Sequence, residues 1–82
     1  MKLIKLYSDS CGPCKVLENN LKQANIEHES VNITSDKGEE LADKYNVRNI
    51  PTLLLLDGDN LVKKFTGILT PDKLKEFYEE KV

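Results

Sequence analysis

Tryptophan is absent from the 82 residues, and other aromatic side chains are few: three Tyr and two Phe. Histidine occurs once, and cysteine only at Cys11 and Cys14. A structural zinc site takes four ligands, usually Cys or His; Cys11, Cys14 and the distant His28 leave it one short. Two cysteines also make no disulfide framework of the kind that holds small secreted domains together. A bridge between them would close a four-residue loop, and chain entropy gives that only about 2 kcal/mol, against about 3 kcal/mol for a fifteen-residue loop. Stapling is therefore a poor reason to keep the pair, and redox chemistry is the leading reading. Positive charge is not in excess either. Twelve Lys+Arg face fourteen Asp+Glu, a net charge of −2, which argues against a nucleic-acid binder. The longest apolar run, Leu53-Leu54-Leu55-Leu56, is far short of the roughly 20 residues of a membrane span. The start, Met1-Lys2-Leu3-Ile4-Lys5, has no stretch apolar enough for a signal peptide. The expectation is a single cytoplasmic domain over residues 1–82, monomeric and without membrane or nucleic-acid partners.

What is present is a regular alternation of patterns. Residues 2–7 alternate and predict a strand, and Ser8-Asp9-Ser10 is a turn with helix-capping chemistry. From Pro13, Val16, Leu17, Leu21 and Ala24 recur at helical spacing, with Asn25 as a stop. Residues 27–33 form a weaker strand. Thr34-Ser35-Asp36 reads as an N-cap region for a short helix carrying Leu41, Ala42 and Tyr45, with Glu39 and Glu40 near its positive end. Thr52 to Leu56 is a strand apolar on both faces. Asp57-Gly58-Asp59-Asn60 is a hairpin turn, and Leu61 to Thr66 returns as an edge strand marked by Lys63 and Lys64. Thr70 caps the last helix, Pro71 takes its first position, and Leu69 with Leu74 forms a hydrophobic staple. Leu74, Phe77 and Tyr78 face the core, and Lys81 complements the helix dipole. The order βαβαββα is that of an α/β domain with a four-stranded mixed sheet and three flanking helices. The short αβ alternation predicts parallel strands joined by right-handed crossovers, with one antiparallel strand added by the final hairpin.

The chemistry concentrates in Cys11-Gly12-Pro13-Cys14. Two thiols separated by two residues at a helix start can close into a disulfide and reopen. Cys11 falls before the first helical turn, where unpaired N–H groups and the dipole favour a thiolate, the attacking species. Cys14 lies one turn further in and is the less exposed. Cys11 is therefore expected to attack a substrate disulfide, with a thiol pKa below that of a free cysteine, and Cys14 to resolve the mixed disulfide. Gly12 lets a substrate backbone approach, Pro13 stiffens the turn, and Lys15 adds positive charge. His28 reads as a solvated or packed histidine, and Tyr7 as packing at the rim of the motif.

Taken together, the chain resembles a small thioredoxin. Cys11-Gly12-Pro13-Cys14-Lys15 matches the thioredoxin active-site motif, and Val47-Arg48-Asn49-Ile50-Pro51-Thr52 resembles the segment that holds the family's cis-proline. Gly58, Phe65-Thr66-Gly67 and Leu74-Lys75-Glu76-Phe77 resemble the C-terminal half. The strand and helix that precede the core in full-length thioredoxins have no counterpart in these 82 residues, a trimming shared with glutaredoxins. The resemblance implies a minimal thioredoxin fold, a cis Ile50–Pro51 bond, and a substrate groove at Asn49, Ile50 and Pro51, with Gly67 opening its other side. By base rate alone that X–Pro bond reads as trans.

Two positions depart from the family pattern. Thioredoxins usually carry Trp immediately before the first cysteine, where this chain has Ser10, so the contact surface for partners differs. They also bury an acid on the first core strand, six positions before the first cysteine, where this chain has Lys5. Lys5 thereby becomes a candidate for tuning the proton of Cys14. The family implies a protein-disulfide reductase with no bound cofactor, recycled by an NADPH-dependent thioredoxin reductase, with ribonucleotide reductase among plausible clients. Two other readings compete. One is a glutaredoxin-like electron donor reduced by glutathione, although Ile50-Pro51-Thr52 departs from the Thr-Val-Pro of glutaredoxins and Phe65-Thr66-Gly67 lacks their paired glycines. The other is a non-catalytic docking module, or one holding an iron–sulfur cluster between two copies, since each chain offers only two cysteine ligands.

Overall fold

The computed structural model describes residues 2–79. The elements are β1 (Lys2–Tyr7), α1 (Gly12–Gln23), β2 (Glu29–Asn32), α2 (Asp36–Lys44), β3 (Thr52–Asp57), β4 (Asn60–Thr66) and α3 (Pro71–Glu79). They build one four-stranded sheet in the order β2-β1-β3-β4. Lys81 lies outside the described residues.

The direction of β3 corrects the expectation of parallel core strands. β1 and β2 run parallel, whereas β3 runs antiparallel to both β1 and β4. The reason is the connection. The nine residues of α2 rise only about 14 Å, and the extended reach of residues 45–51 is longer than that. The chain has the length to double back, and it enters β3 at the end of the sheet where β1 finishes, with Thr52 opposite Leu6. That return places Pro51 at the same end of the sheet as the cysteine motif.

Alternation on the two central strands divides the core. Leu3, Leu53 and Leu55 face α1 and α3 and pack with Leu17, Leu21, Ala24 and Leu74. Ile4, Leu6, Leu54 and Leu56 face α2 and pack with Val31 and Val47. Five successive residues of β3, Thr52 to Leu56, are buried, as the run apolar on both faces predicts. On α1 the buried stripe is Cys14, Leu17 and Leu21, continued by Ala24 at the C-cap. Val16 stands one position off that stripe and is 49% exposed, so its expected place on the apolar face is corrected. β2 is four residues long, shorter than the predicted 27–33, because it pairs on one side only and its polar side chains gain nothing by extension.

The helix boundaries follow from local chemistry. Asn25 adopts φ 57° just past the end of α1, a left-handed conformation that asparagine tolerates. Ser35 caps α2, its hydroxyl oxygen accepting from the Gly38 N–H at 3.0 Å. The Thr70 hydroxyl accepts from the Lys73 N–H at 3.3 Å at the start of α3. Among the described residues, no helix is long and apolar enough to cross a membrane.

Glu29 on the edge strand β2 carries a pH prediction. Its carboxylate is 2.6 Å from Lys2 Nζ and is also held by Lys37. These hydrogen bonds to Lys2 and Lys37 push its pKa down to about 2, from an ordinary 4.5. The folded state therefore binds this proton less readily than the unfolded chain does. The stabilisation is present above the ordinary value and is lost as pH falls towards about 2. Because the side chains are partly exposed, solvent and salt screen them, and the gain is expected to be no more than about 1 kcal/mol. Unfolding of Glu29→Gln measured between pH 6 and 2 should show a correspondingly shallower loss of stability on acidification than the wild type, with the difference shrinking in high salt.

Candidate active site

The turn Ser8-Asp9-Ser10 carries the chain from β1 into α1, and Cys11 occupies the N-cap of that helix in extended conformation, φ −93° and ψ 105°. Its amide donates to the Ser8 carbonyl at 3.2 Å. Its sulfur takes the place a serine hydroxyl would fill at an ordinary cap, accepting from the Cys14 N–H at 3.1 Å. Pro13 sits in the first turn, where a missing N–H costs nothing. Cys11 and Cys14 are joined by a disulfide with their Cα atoms 5.3 Å apart. The two sulfurs are not equivalent in access. Cys11 is partly exposed, whereas Cys14 belongs to the buried stripe at 2% exposure. Gly12, Pro13 and Lys15 surround the pair and are exposed, as is Ser10.

A second segment closes on the same end of the sheet. The Ile50–Pro51 peptide bond is cis, and Gly67 adopts φ +122°, where a side chain would be strained. The Gly67 N–H donates to the Pro51 carbonyl at 2.9 Å, which ties the β4–α3 loop to the start of β3. Beneath them Thr52, fully buried, donates its hydroxyl to the Asn49 carbonyl at 2.6 Å and lies 3.0 Å from the Thr66 hydroxyl. Pro51 is buried, Ile50 half-buried against the α2-side core, and Asn49 exposed. The structure thus brings Asn49, Ile50, Pro51 and Gly67 together as one loop pair at the motif end. Thr52 closes the Val47–Thr52 segment and, with no role expected of it from sequence, is a positioning residue that anchors that pair from below.

Lys5 lies beneath the motif. It is 2% exposed and shares a cavity of about 230 Å³ with Cys14, Tyr7 and Glu18. Its ammonium is 3.4 Å from the Glu18 carboxylate and 5.2 Å from the centre of the Tyr7 ring. Burial pushes the Lys5 pKa below its ordinary value; Glu18 opposes that shift, and Lys22 adds to it. Glu18 is the charged residue that sequence reasoning missed. Its signal was available, because it stands four residues after Cys14 on the same helix and so on the same face. His28 lies elsewhere. It neighbours Glu29, which pairs with Ile4, and its Nδ1 is 3.1 Å from the Ile26 carbonyl oxygen. It lines a separate open cleft with Lys2, Ile26 and Tyr78.

A disulfide at a helix start, with one sulfur partly exposed and the other buried on this fold, defines a thiol–disulfide oxidoreductase. Comparison with known proteins agrees. The Thioredoxin family model matches residues 1–80. The chain is 38% identical over 81 residues to the SPbeta prophage-derived thioredoxin-like protein YosR of Bacillus subtilis (strain 168), covering 98% of each chain. It is 35% identical over 79 residues to thioredoxin of Buchnera aphidicola, covering 92% of this chain and 72% of that one. A mutant thioredoxin from Halobacterium salinarum NRC-1 superposes with a TM-score of 0.76 at 32% identity, over 98% of this chain and 75% of the other. The chain belongs to the thioredoxin family, as a dithiol oxidoreductase of the thioredoxin type.

Proposed function

We propose that the chain, acting as one domain over residues 1–82, reduces disulfides in client proteins in the cytoplasm as a monomer. The observation that carries this reading is the unequal access of the two sulfurs, Cys11 at the exposed helix cap and Cys14 buried behind it. In the reduced state the Cys11 thiolate attacks a client disulfide. One client sulfur leaves, and a Cys11–client mixed disulfide remains. Cys14 then attacks Cys11, the client departs with two thiols, and the Cys11–Cys14 disulfide is left for a reductase to reopen. An extended client segment lies along Asn49, Ile50 and Pro51, and the absence of a side chain at Gly67 leaves room for it. Gly12, Pro13 and Lys15 shape the approach to Cys11, and Ser10 stands where relatives with Trp have a large apolar contact. An NADPH-dependent thioredoxin reductase recycles the protein, and ribonucleotide reductase is a plausible client.

The absence of Trp at Ser10 gives the glutathione-reduced reading a specific footing, and one experiment separates the two. Reduction of a protein disulfide is followed by NADPH oxidation, either with a thioredoxin reductase or with glutathione and glutathione reductase. Turnover with the first and not the second is the expected result. Turnover with glutathione alone moves the protein to the glutaredoxin-like role. Failure in both, with cellular function kept by a double Cys11/Cys14→Ser variant, would make it a docking module.

A further inference from the structure

A lysine in the middle of a central strand is costly to bury unless its charge is met. Lys5 pairs across the sheet with Ser30 and Leu53, neither of them charged. From α1 it meets the Glu18 carboxylate at 3.4 Å, and from its own strand the face of Tyr7. Lys22, one turn beyond Glu18, contributes a like charge. The other charged groups lining the cavity are Asp9 and Lys15, both exposed. Glu18 is itself 42% exposed, so solvent weakens its hold on the buried ammonium. Cys14 lines the same cavity.

With Cys14 uncharged in the disulfide, Glu18 is the carboxylate paired with Lys5. When Cys14 loses its proton, a second negative group appears in the cavity, in surroundings where opposite charges attract far more strongly than in water. We propose that the Lys5 ammonium stabilises the Cys14 thiolate during resolution, and that Glu18 competes with Cys14 for it. The inference rests on the reading of Cys14 as the resolving sulfur. In the step itself the Cys14 thiol gives its proton to water, and the thiolate attacks Cys11 Sγ. The Cys11–Cys14 bond forms, the Cys11–client bond breaks, and the client sulfur leaves with the electron pair and takes up a proton. Lys5 and Glu18 end the step unchanged.

Two measurements test the inference and the reading beneath it separately. In a Cys11→Ser background Cys14 is the sole thiol, and its ultraviolet thiolate absorbance against pH gives a titration midpoint. Lys5→Met roughly keeps the volume of the side chain and removes its charge; it should raise that midpoint by about one unit or more. Glu18→Gln removes the competitor from a partly exposed helix position, does not disturb the strand, and should lower the midpoint. A midpoint that Lys5→Met leaves unchanged or lowers overturns the inference. So does one that Glu18→Gln leaves unchanged or raises, and this second variant decides alone if Lys5→Met does not fold. The reading is checked with the cysteine-intact reduced protein and an aromatic disulfide reagent. Release of both aromatic thiols with no label left on the protein is expected. A label that stays on the intact protein means that Cys14 does not resolve, whatever the titrations show.

Discussion

Cys11→Ser is expected to abolish disulfide reduction while leaving the fold at least as stable as the reduced wild type. The two halves of this result have different causes. A serine hydroxyl is a far weaker acid than a thiol and cannot form the mixed disulfide, so neither step of the exchange has a substitute pathway, and turnover should fall to the uncatalysed background. The cap survives for the opposite reason. Cys11 Sγ accepts from the Cys14 N–H at 3.1 Å, and a serine oxygen is among the best acceptors for that position. The gain should be a few tenths of a kcal/mol up to about 1 kcal/mol, which for a domain of this size moves the thermal midpoint by about 8 °C at most. Cys14→Ser should behave differently. It keeps the exposed nucleophile and loses resolution, so a client stays attached at Cys11 and can be isolated with it. Assays of turnover, thermal unfolding under reducing conditions and trapped adducts check the three statements. If Cys11→Ser kept turnover, or if adducts accumulated on Cys14 instead, the division of labour between the sulfurs would be reversed.

Much of this site was legible because its determinants are local. A proline two residues after a cysteine at a strand-to-helix junction, Ser35 before α2 and Thr70-Pro71 at the start of α3 all act within one helical turn. The same holds for Thr52 to Leu56, whose unbroken apolar run demands cover on both faces. What was not legible depends on the path of the chain. The antiparallel direction of β3 follows from how far α2 and residues 45–51 travel, which no periodicity records. Val16 shows the same limit on a smaller scale. It is as apolar as Leu17, and only the angle at which α1 settles on the sheet decides which of the two faces solvent. Lys5 could be counted into the position of the family's acid. That its charge is met by Glu18, from a helix that crosses above the strand, requires the strand and helix to be placed together. The resemblance to thioredoxins supplied the loop pair of Pro51 and Gly67, where base rate alone reads the X–Pro bond as trans.

Gly38→Ala should destabilise the domain by about 2 kcal/mol or more, against the direction that helix propensity indicates. Gly38 lies in the first turn of α2, and in an open helix the exchange would be worth up to about 1 kcal/mol in favour of alanine. Here the residue is buried. A Cβ built on it overlaps the carbonyl group of Asn32 and the Cα of Ile33. These are backbone atoms at the end of β2, and they are not free to retreat. Asn32 is paired with Tyr7 in the sheet. Its carbonyl oxygen accepts from the Ser35 N–H at 3.0 Å and from the Ser35 hydroxyl at 2.6 Å. The Ile33 N–H donates to the Tyr7 carbonyl at 2.7 Å. Relief would require either moving α2, whose Leu41 and Ala42 pack against the core cluster of Ile4, Leu6, Leu54 and Leu56, off the sheet or breaking these bonds. Overpacking of this kind costs about 1–3 kcal/mol, and more where the neighbour is backbone rather than a flexible side chain. The steric term therefore outweighs the propensity term. Against the roughly 4–12 kcal/mol available to a chain of this length, the loss is large, and it should lower the thermal midpoint by about 10 °C or more. Gly12→Ala is the matching control for stability. No atom lies within 4 Å of a Cβ there, so it should leave stability unchanged or raise it by up to about 1 kcal/mol. If Gly38→Ala melted with or above the wild type, the close approach of α2 to the end of β2 would be wrong.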